Sequence, residues 1–243
     1  MKGVFLCVFV LHLDFGKTTM LRLKVTTILI LTYFTGWSQW SVKSISDTLL
    51  KNSNVVIRRY ATDIKFLEDD KVVVAENMVV TFMDNIAIKN FVFCDVVSQE
   101  LADNVLECRF FDVSGKRMKQ AKVKTFQKSN GFGIDIISPV DPKFPLTVEV
   151  EYKLVTNSTE QLRVWNPTMN LNGSVENASL RISVIDTSNL NYKYNRIPIP
   201  SKSLDEDGLN VFLWELNEFP FIKTGSSIEL PVNELPTVIL FGK

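Results

Sequence analysis

The sequence is poor in the residues on which most zinc sites and nucleophile–base pairs depend. Its 243 residues include one histidine and three cysteines. The histidine, His12, lies near the N-terminus, so the rest of the chain has none to act as general base, triad member or zinc ligand. We therefore expect no catalytic residues of that kind, no metal site and no cofactor.

The chain also lacks an excess of either charge. Lysine plus arginine and aspartate plus glutamate both number 27, so no basic surface is predicted for a nucleic acid or an anionic membrane. Glycine and proline are few, at 10 and 9, while 46% of the residues are hydrophobic. This composition excludes a disordered or collagen-like chain and indicates a globular one. A nucleic-acid partner is not expected.

Long apolar runs are scarce, and the most informative one lies near the N-terminus. From Met20 the chain reads MLRLK, then the apolar run VTTILILTYF, then TGWSQW. A basic stretch, a short apolar core and small residues at Gly36 and Ser38 follow each other in the order of a secretory signal peptide. The run is shorter than the roughly 20 residues that a membrane-spanning helix needs. We predict a signal-peptide helix within residues 1–38, cleavage after Ser38, and Gln39 as the new N-terminus.

Residues 1–19 carry a second apolar run, which charged residues separate from the first, and Met20 is an alternative true start of the protein. A lipid anchor on Cys7, a buried core helix and an uncleaved two-part membrane anchor stay open as other interpretations of the N-terminus. The predicted mature chain, 39–243, is mildly acidic and has no expected transmembrane span. We expect it to be exported, to the periplasm, the cell surface or the medium.

The body of the chain has the pattern of short β-strands. Runs rich in Val, Ile, Phe and Tyr alternate with turn residues at strand-length intervals: VVIRRYATDIKF, KVVVAENMVVTFM, FVFCDVV, VLECRFF, LTVEVEYKLV, SLRISVI, NVFLWEL and TVIL. One short helix is expected within 44–52, where a serine could cap the first turn. Many strands without alternating helices predict an all-β fold, an antiparallel β-sandwich formed by a single large domain over 39–243.

Two adjacent arginines, Arg58 and Arg59, stand in the middle of the first strand-like run. On the two-residue period of a strand, Arg58 falls on the face of Val56 and Tyr60. Arg59 falls on the opposite face, with Ile57. We therefore expect the two guanidinium groups to point in opposite directions, which excludes a paired clamp on one anion. Arg59 is expected in solvent, and Arg58 is expected to reach the rim of the sheet with its charged end.

Turn chemistry predicts where strands end. Asp112 and Gly115 have the spacing of a type I turn followed by a left-handed glycine, and residues 204–210 repeat that chemistry. The stretch 187–203 is the longest that looks irregular, and its two prolines exclude a central strand. It is the candidate binding loop. Acidic clusters at 68–70 and 205–207 lack the alternating spacing of a calcium loop and are interpreted as solvated turns.

The two cysteines outside the signal region are Cys94 and Cys108. If 91–97 and 105–111 form a hairpin, residue 94 falls opposite residue 108 and their side chains share a face. An exported location permits a disulfide between them. The alternative is a pair of buried, reduced thiols that behave as small hydrophobic side chains.

The chain resembles a known family at several landmarks. These are LLKNSNVVIRRYATDIKF, FFDVSGKRMKQAKVKTF, PLTVEVEYKLVTNSTEQLRVWNPT with SVENASLRISV, and finally WELNEFPF and ELPTVIL. Together they are similar to domain of unknown function 3857, over about residues 44–240. That domain typically follows a signal peptide in proteins of Gram-negative bacteria and precedes a transglutaminase-like domain. The matching motifs are strand-and-turn patterns and carry no functional residues across.

The resemblance implies a non-catalytic exported β-sandwich module with a binding or scaffold role. Its expected partner is a protein, a peptide or a glycan, which includes a separately encoded transglutaminase-like domain, because the sequence stops at Lys243 before such a catalytic domain would begin. We therefore expect no enzyme activity. The alternative is a carboxylate-dependent hydrolase acting on glycans, which would hold two carboxyl groups roughly 5–10 Å apart without needing histidine.

Overall fold

The computed structural model describes the chain in segments that together cover most of residues 39–241. The described residues are 39–67, 71–89, 95–96, 106–118, 122–128, 131–137, 142–156, 164–168, 173–187, 190–205, 207–221 and 235–241. The predicted signal peptide, its cleavage site, the acidic cluster at 68–70 and Cys94 lie outside them. Within these segments, no helix has the length and apolar character needed to cross a membrane.

Thirteen strands and a few helical turns make up the described segments. A 3₁₀ turn at Val42–Ser44 and helix α1 (Asp47–Leu50) precede the strands, and helix α2 (Asn85–Lys89) follows the second strand. The strands are β1 (Val55–Phe66), β2 (Val72–Phe82), β3 (Asp95–Val96), β4 (Leu106–Phe111), β5 (Lys122–Lys128), β6 (Gly131–Ile137), β7 (Leu146–Thr156), β8 (Val164–Trp165), β9 (Ser174–Val184), β10 (Asn191–Asn195), β11 (Ser201–Leu204), β12 (Asn210–Phe219) and β13 (Thr237–Phe241). The all-β prediction is confirmed.

The largest layer is a seven-stranded sheet in the order β11-β12-β9-β1-β2-β7-β4. Its neighbouring strands are antiparallel with one exception, because β1 pairs with β9 in parallel. The predicted antiparallel arrangement therefore holds for the other strand pairs of this sheet, and the pair of β1 with β9 departs from it. The physical reason is that β1 uses its second edge for a strand more than a hundred residues further along the chain, and that strand returns in the same direction.

Two three-stranded sheets, β10-β13-β8 and β3-β6-β5, complete the fold. Side chains from the first of them join the main hydrophobic core, where Trp165 and Val238 pack with Leu180 and Trp214 of the seven-stranded sheet. These four residues are at most 5% exposed. Full burial of a large apolar side chain is worth about 1.5–3 kcal/mol relative to exposure, so this packing is what holds the two layers together.

A β-bulge at Arg58 changes the faces of β1. The pairing with β2 passes from Ile57 opposite Val80 to Arg59 opposite Val79, which leaves Arg58 as an extra residue. An extra residue shifts the two-residue period by one position. Side chains before and after the bulge therefore do not follow the alternation that the sequence alone predicts.

The face assignment from the sequence is wrong for this reason. Ile57 lies in the main core together with Tyr60, although their spacing of three would place them on opposite faces of a regular strand. Val56 lies on the outer face, in a small cluster with Leu49 of α1. Arg58 contacts the same N-terminal segment as Val56, so the outer face is also the arginine face.

The bulge extends across three strands. β1 and β9 keep one register through it, and so do β9 and β12, so Glu176 and Glu218 stand level with Arg58. On β9, Val175 and Ala178 both face the main core although they are three residues apart. Glu218 has a φ of 50°, in the left-handed region. Arg58, Glu176 and Glu218 therefore form one row across β1, β9 and β12, and each of the three strands carries one extra residue at this row.

The predicted turns are confirmed. Asp112 Oδ1 accepts hydrogen bonds from the backbone N–H groups of Ser114 and Lys116, and Gly115 has a φ of 79°. The turn within 204–210 has the same design and connects β11 to β12.

The predicted irregular stretch 187–203 is only partly irregular, because β10 and the start of β11 lie within it. Its proline-containing part, 196–200, separates them without strand structure, as the prolines require. The short helix expected within 44–52 is present as α1, and Ser46 is its N-cap residue by position, although its hydroxyl makes no cap hydrogen bond.

Candidate functional site

The two arginines converge on one aromatic ring. The guanidinium carbon of Arg58 lies 5.8 Å from the centre of the Trp40 indole, and that of Arg59 lies 5.9 Å from it. Both distances are in the range of cation–π attraction. The expectation that the two guanidinium groups diverge is wrong, because the bulge places them on the same face.

Arg58 holds the first described residues of the chain against the outer face. Its Nη1 donates to the carbonyl oxygen of Ser41 at 3.3 Å, and its Nη2 donates to the carbonyl oxygen of Gln39 at 3.5 Å and to Ser44 Oγ at 2.8 Å. Its Nε donates to the carboxylate of Glu176. Arg58 is 4% exposed, so it does not reach the rim as predicted. A buried guanidinium needs this degree of pairing.

A second polar group, the carboxyl of Glu76, faces the main core. It accepts hydrogen bonds from Tyr60 at 3.3 Å, from Thr62 at 3.2 Å and from the hydroxyl of Tyr152. The Trp165 indole N–H donates to Thr62 Oγ1 at 3.2 Å, and its ring stacks on Tyr60 with centroids 6.0 Å apart. The network therefore connects three strands of the large sheet to β8 of the small one.

Burial raises the pKa of Glu76 above its usual value, and the hydrogen bonds from Tyr152, Thr62 and Tyr60 oppose that rise. Desolvation penalises the ionised carboxylate, while three hydroxyl donors stabilise it. A raised pKa is a shift in the direction that the glycan-hydrolase alternative requires of its general acid. The carboxyl oxygens of Glu76 are already engaged by protein hydroxyls.

A group of three carboxylates lies on the edge strand β4 and its neighbour β7, around Arg109. Its guanidinium contacts Glu149 at 3.0 Å, Glu151 at 3.4 Å and also Glu107. The hydrogen bond with Glu149 is the main cause that raises the pKa of Arg109. Because the guanidinium of Arg109 pairs with all three carboxylates within one network, we interpret it as structural. No group of three or more histidine, cysteine or acidic side chains suited to a metal is found in the described segments.

Among the described residues, the hairpin that motivated a disulfide is not seen. β3, which contains part of 91–97, pairs with β6, whereas β4 pairs with β7 in the large sheet. Cys108 is a free thiol, and burial, followed by the charge of Glu149, raises its pKa to about 12. Cys94 lies outside the described residues, so the bridge between Cys94 and Cys108 stays a prediction.

Sequence reasoning missed Glu76 and Trp40. The signal for Glu76 was present in VVVAENMVV, where it interrupts the apolar alternation of Val72, Val74, Met78 and Val80. Trp40 gave no signal, because its role depends on a bulge in a strand that follows it. The candidate loop 187–203 shows an exposed apolar side chain at Ile199, which is 75% exposed.

Comparisons with known proteins identify the fold and leave the family open. No protein family and no curated protein matches the chain. A solved structure of a proposed protease from Parabacteroides distasonis is similar with a TM-score of 0.61 and 11% identity, over 77% of this chain. A zinc metallopeptidase of the M1 class from Deinococcus radiodurans matches with a TM-score of 0.35 and 8% identity, over 76% of this chain. The chain spans 40% and 42% of these two structures.

Proposed function

We propose that this chain is a non-catalytic, exported β-sandwich module that binds or positions a partner. In this proposal it belongs with domain of unknown function 3857 and acts beside a transglutaminase-like domain, in the periplasm, at the cell surface or in the medium. The ligand class is a protein, a peptide or a glycan.

The state of Cys108 is the observation that carries the non-catalytic part of the proposal. A cysteine nucleophile works as a thiolate, which a nearby base or positive charge must stabilise. Cys108 has a pKa of about 12 instead, because it is desolvated and lies near the carboxylate of Glu149. At pH 7 a thiol with that pKa is ionised in roughly one molecule in 10⁵. After His12 the sequence contains no histidine to act as the base.

The share of each chain that the structural match covers supports the part of the proposal that makes this chain a module. The structural match covers 77% of this chain but only 40% of the solved structure that it resembles. That structure belongs to a larger protein described as a proposed protease, so the same fold occurs there as one part of a longer chain. This likeness supports an accessory role beside a catalytic domain.

The test is an activity assay of the full chain, produced with its N-terminal region and isolated after export. Amine incorporation into a protein substrate and cleavage of casein are measured for the wild type and for the double variant Cys94→Ala, Cys108→Ala. We expect no turnover above a blank in either protein. Turnover in the wild type that disappears in the double variant would reject the proposal.

The glycan-hydrolase alternative is kept because of one observation, the desolvated carboxyl of Glu76. Under this alternative, turnover of a polysaccharide would survive the cysteine substitutions and be abolished by Glu76→Gln. The non-catalytic proposal expects no polysaccharide turnover in any of these proteins.

A further inference from the structure

We propose that Gln39 is a modification site: once the chain is cut after Ser38, its new α-amino group closes onto its own side chain to form a pyroglutamate lactam. The inference rests on the proposed export, because the amine exists only after that cleavage. It concerns the covalent state of the N-terminus and does not depend on what the module binds.

The surroundings of Gln39 favour a neutral amine. Arg58 donates to the carbonyl oxygen of Gln39 at 3.5 Å, so the α-nitrogen of the same residue lies within about 7 Å of a guanidinium. Arg59 is a second cation on the same face, as its contact with Trp40 shows. Glu176 pairs with Arg58 and offsets part of its charge, so Arg59 is the cation with no described carboxylate partner on this face, and its charge disfavours the ammonium form of the amine. The neutral amine is the nucleophile.

The side chain of Gln39 is exposed, so its amide is accessible to the amine of the same residue. In the reaction the α-nitrogen attacks Cδ and forms the N–Cδ bond. The bond between Cδ and Nε2 breaks, and ammonia leaves with one proton taken from the amine. No oxidant, reductant or second substrate is required.

The lactam fits the contacts that hold the N-terminus. Arg58 binds the backbone carbonyl of Gln39, which the ring leaves intact, and the carbonyl of Ser41 is unaffected. The ring also removes the positive charge that would stand near Arg59. The product therefore keeps the hydrogen bonds from Arg58 to this segment and loses a repulsion between like charges.

The experiment is mass spectrometry of the full chain after export by a Gram-negative host. We expect the N-terminal peptide to begin at residue 39 and to be lighter than the Gln39 peptide by one ammonia. Gln39→Ala is the control: it should be cut at the same bond and keep a free amine. A wild-type chain that begins at Gln39 and keeps a free amine would contradict the lactam alone. An intact leader or a different cleavage site would contradict both the lactam and the predicted cleavage.

Two substitutions of Arg59 test how much the positive charge near the amine contributes to the rate of ring closure. In protein collected soon after export, Arg59→Gln should lengthen the half-time of ammonia loss about threefold, since one cation fewer leaves more of the amine protonated. Arg59→Lys keeps the charge and should restore the wild-type half-time. Equal half-times in the wild type and Arg59→Gln would overturn the role given to the guanidinium groups.

Discussion

At the scale of single residues, two ionisable groups, Glu76 and Arg58, lie away from water in different ways. The carboxyl of Glu76 faces the main core and is met by neutral hydroxyls, whereas Arg58 is matched by a carboxylate, two backbone carbonyls and a hydroxyl. The different partners predict different effects of removing each charge.

Glu76→Gln should stabilise the protein at neutral pH. The pKa of Glu76 is raised by burial, so the unfolded chain loses its proton at a lower pH than the folded chain. Stability is therefore highest below the unfolded pKa and falls as the pH rises through the folded one. Because glutamine stays neutral, the gain should be seen in urea unfolding at pH 8 and should shrink at pH 4.

Glu215 supplies the control for that prediction, because it is an exposed glutamate on β12. Because its side chain is in solvent, Glu215→Gln should leave the unfolding free energy at pH 8 almost unchanged. A gain for Glu76→Gln that is the same at pH 4 and pH 8 would show that the carboxyl does not titrate as the structure implies.

The neighbouring arginines form a matched pair for a second prediction. Arg58→Ala should lower the free energy of unfolding by about 2–4 kcal/mol, since it removes a buried partner from Glu176 and from three groups of the N-terminal segment. Arg59→Ala should cost at most about 1 kcal/mol, because Arg59 is exposed and its described contact is with Trp40. Urea unfolding of both variants measures the difference. Equal losses would mean that the two arginines share one role.

At the scale of elements, the row of extra residues across β1, β9 and β12 decides which face each side chain occupies. The strand identities of VVIRRYATDIKF and NVFLWEL could be read from β-branched and aromatic residues, and both segments are strands. The bulge could not be predicted from the sequence, because nothing in the local alternation marks Arg58 as the extra residue. Its position depends on how β1 is paired with β2 and β9.

Backbone strain in this row gives a third prediction. Glu218 has a φ of 50°, a conformation that costs a residue with a Cβ about 1–2 kcal/mol and costs glycine almost nothing. Glu218→Gly should therefore leave stability unchanged or raise it by up to about 1 kcal/mol. Glu215→Gly, in the same strand but outside the positive-φ positions, should lower it by about 0.5–1 kcal/mol. Thermal unfolding should show a lower midpoint for Glu215→Gly and no loss for Glu218→Gly. Equal losses in the two variants would contradict the strain at Glu218.

At the scale of the whole molecule, the sequence was sufficient for the class of fold and insufficient for its site. Short apolar runs without helical periods predicted an all-β chain, which is confirmed. The parallel pairing of β1 with β9 joins segments such as Ile57 and Val175, and no local pattern encodes a contact of that separation. The same limit explains why the Glu76 network, assembled from four strands, was not predicted as a unit.

The predicted cysteine hairpin is not seen among the described residues, for a related reason. The two strands around Cys94 and Cys108 are close in sequence and have similar apolar patterns, so pairing them was the simplest local interpretation. β4 instead pairs with the long strand β7, which places Cys108 opposite Val150 within the large sheet, and β3 pairs with β6 in another sheet. Neither of these pairings is encoded in the local apolar patterns.

The central claim is that the described thiol is not an activated nucleophile, and the alkylation rate of Cys108 tests it most directly. The full, exported chain is treated with iodoacetamide at pH 7.5, with and without denaturant, and labelling at Cys108 is followed by peptide mass spectrometry. A pKa of about 12 predicts alkylation at least about 100-fold slower in the folded protein than in the denatured one, where the thiol has its ordinary pKa. Faster labelling in the folded protein would reveal a stabilised thiolate and would contradict the non-catalytic role proposed for this chain.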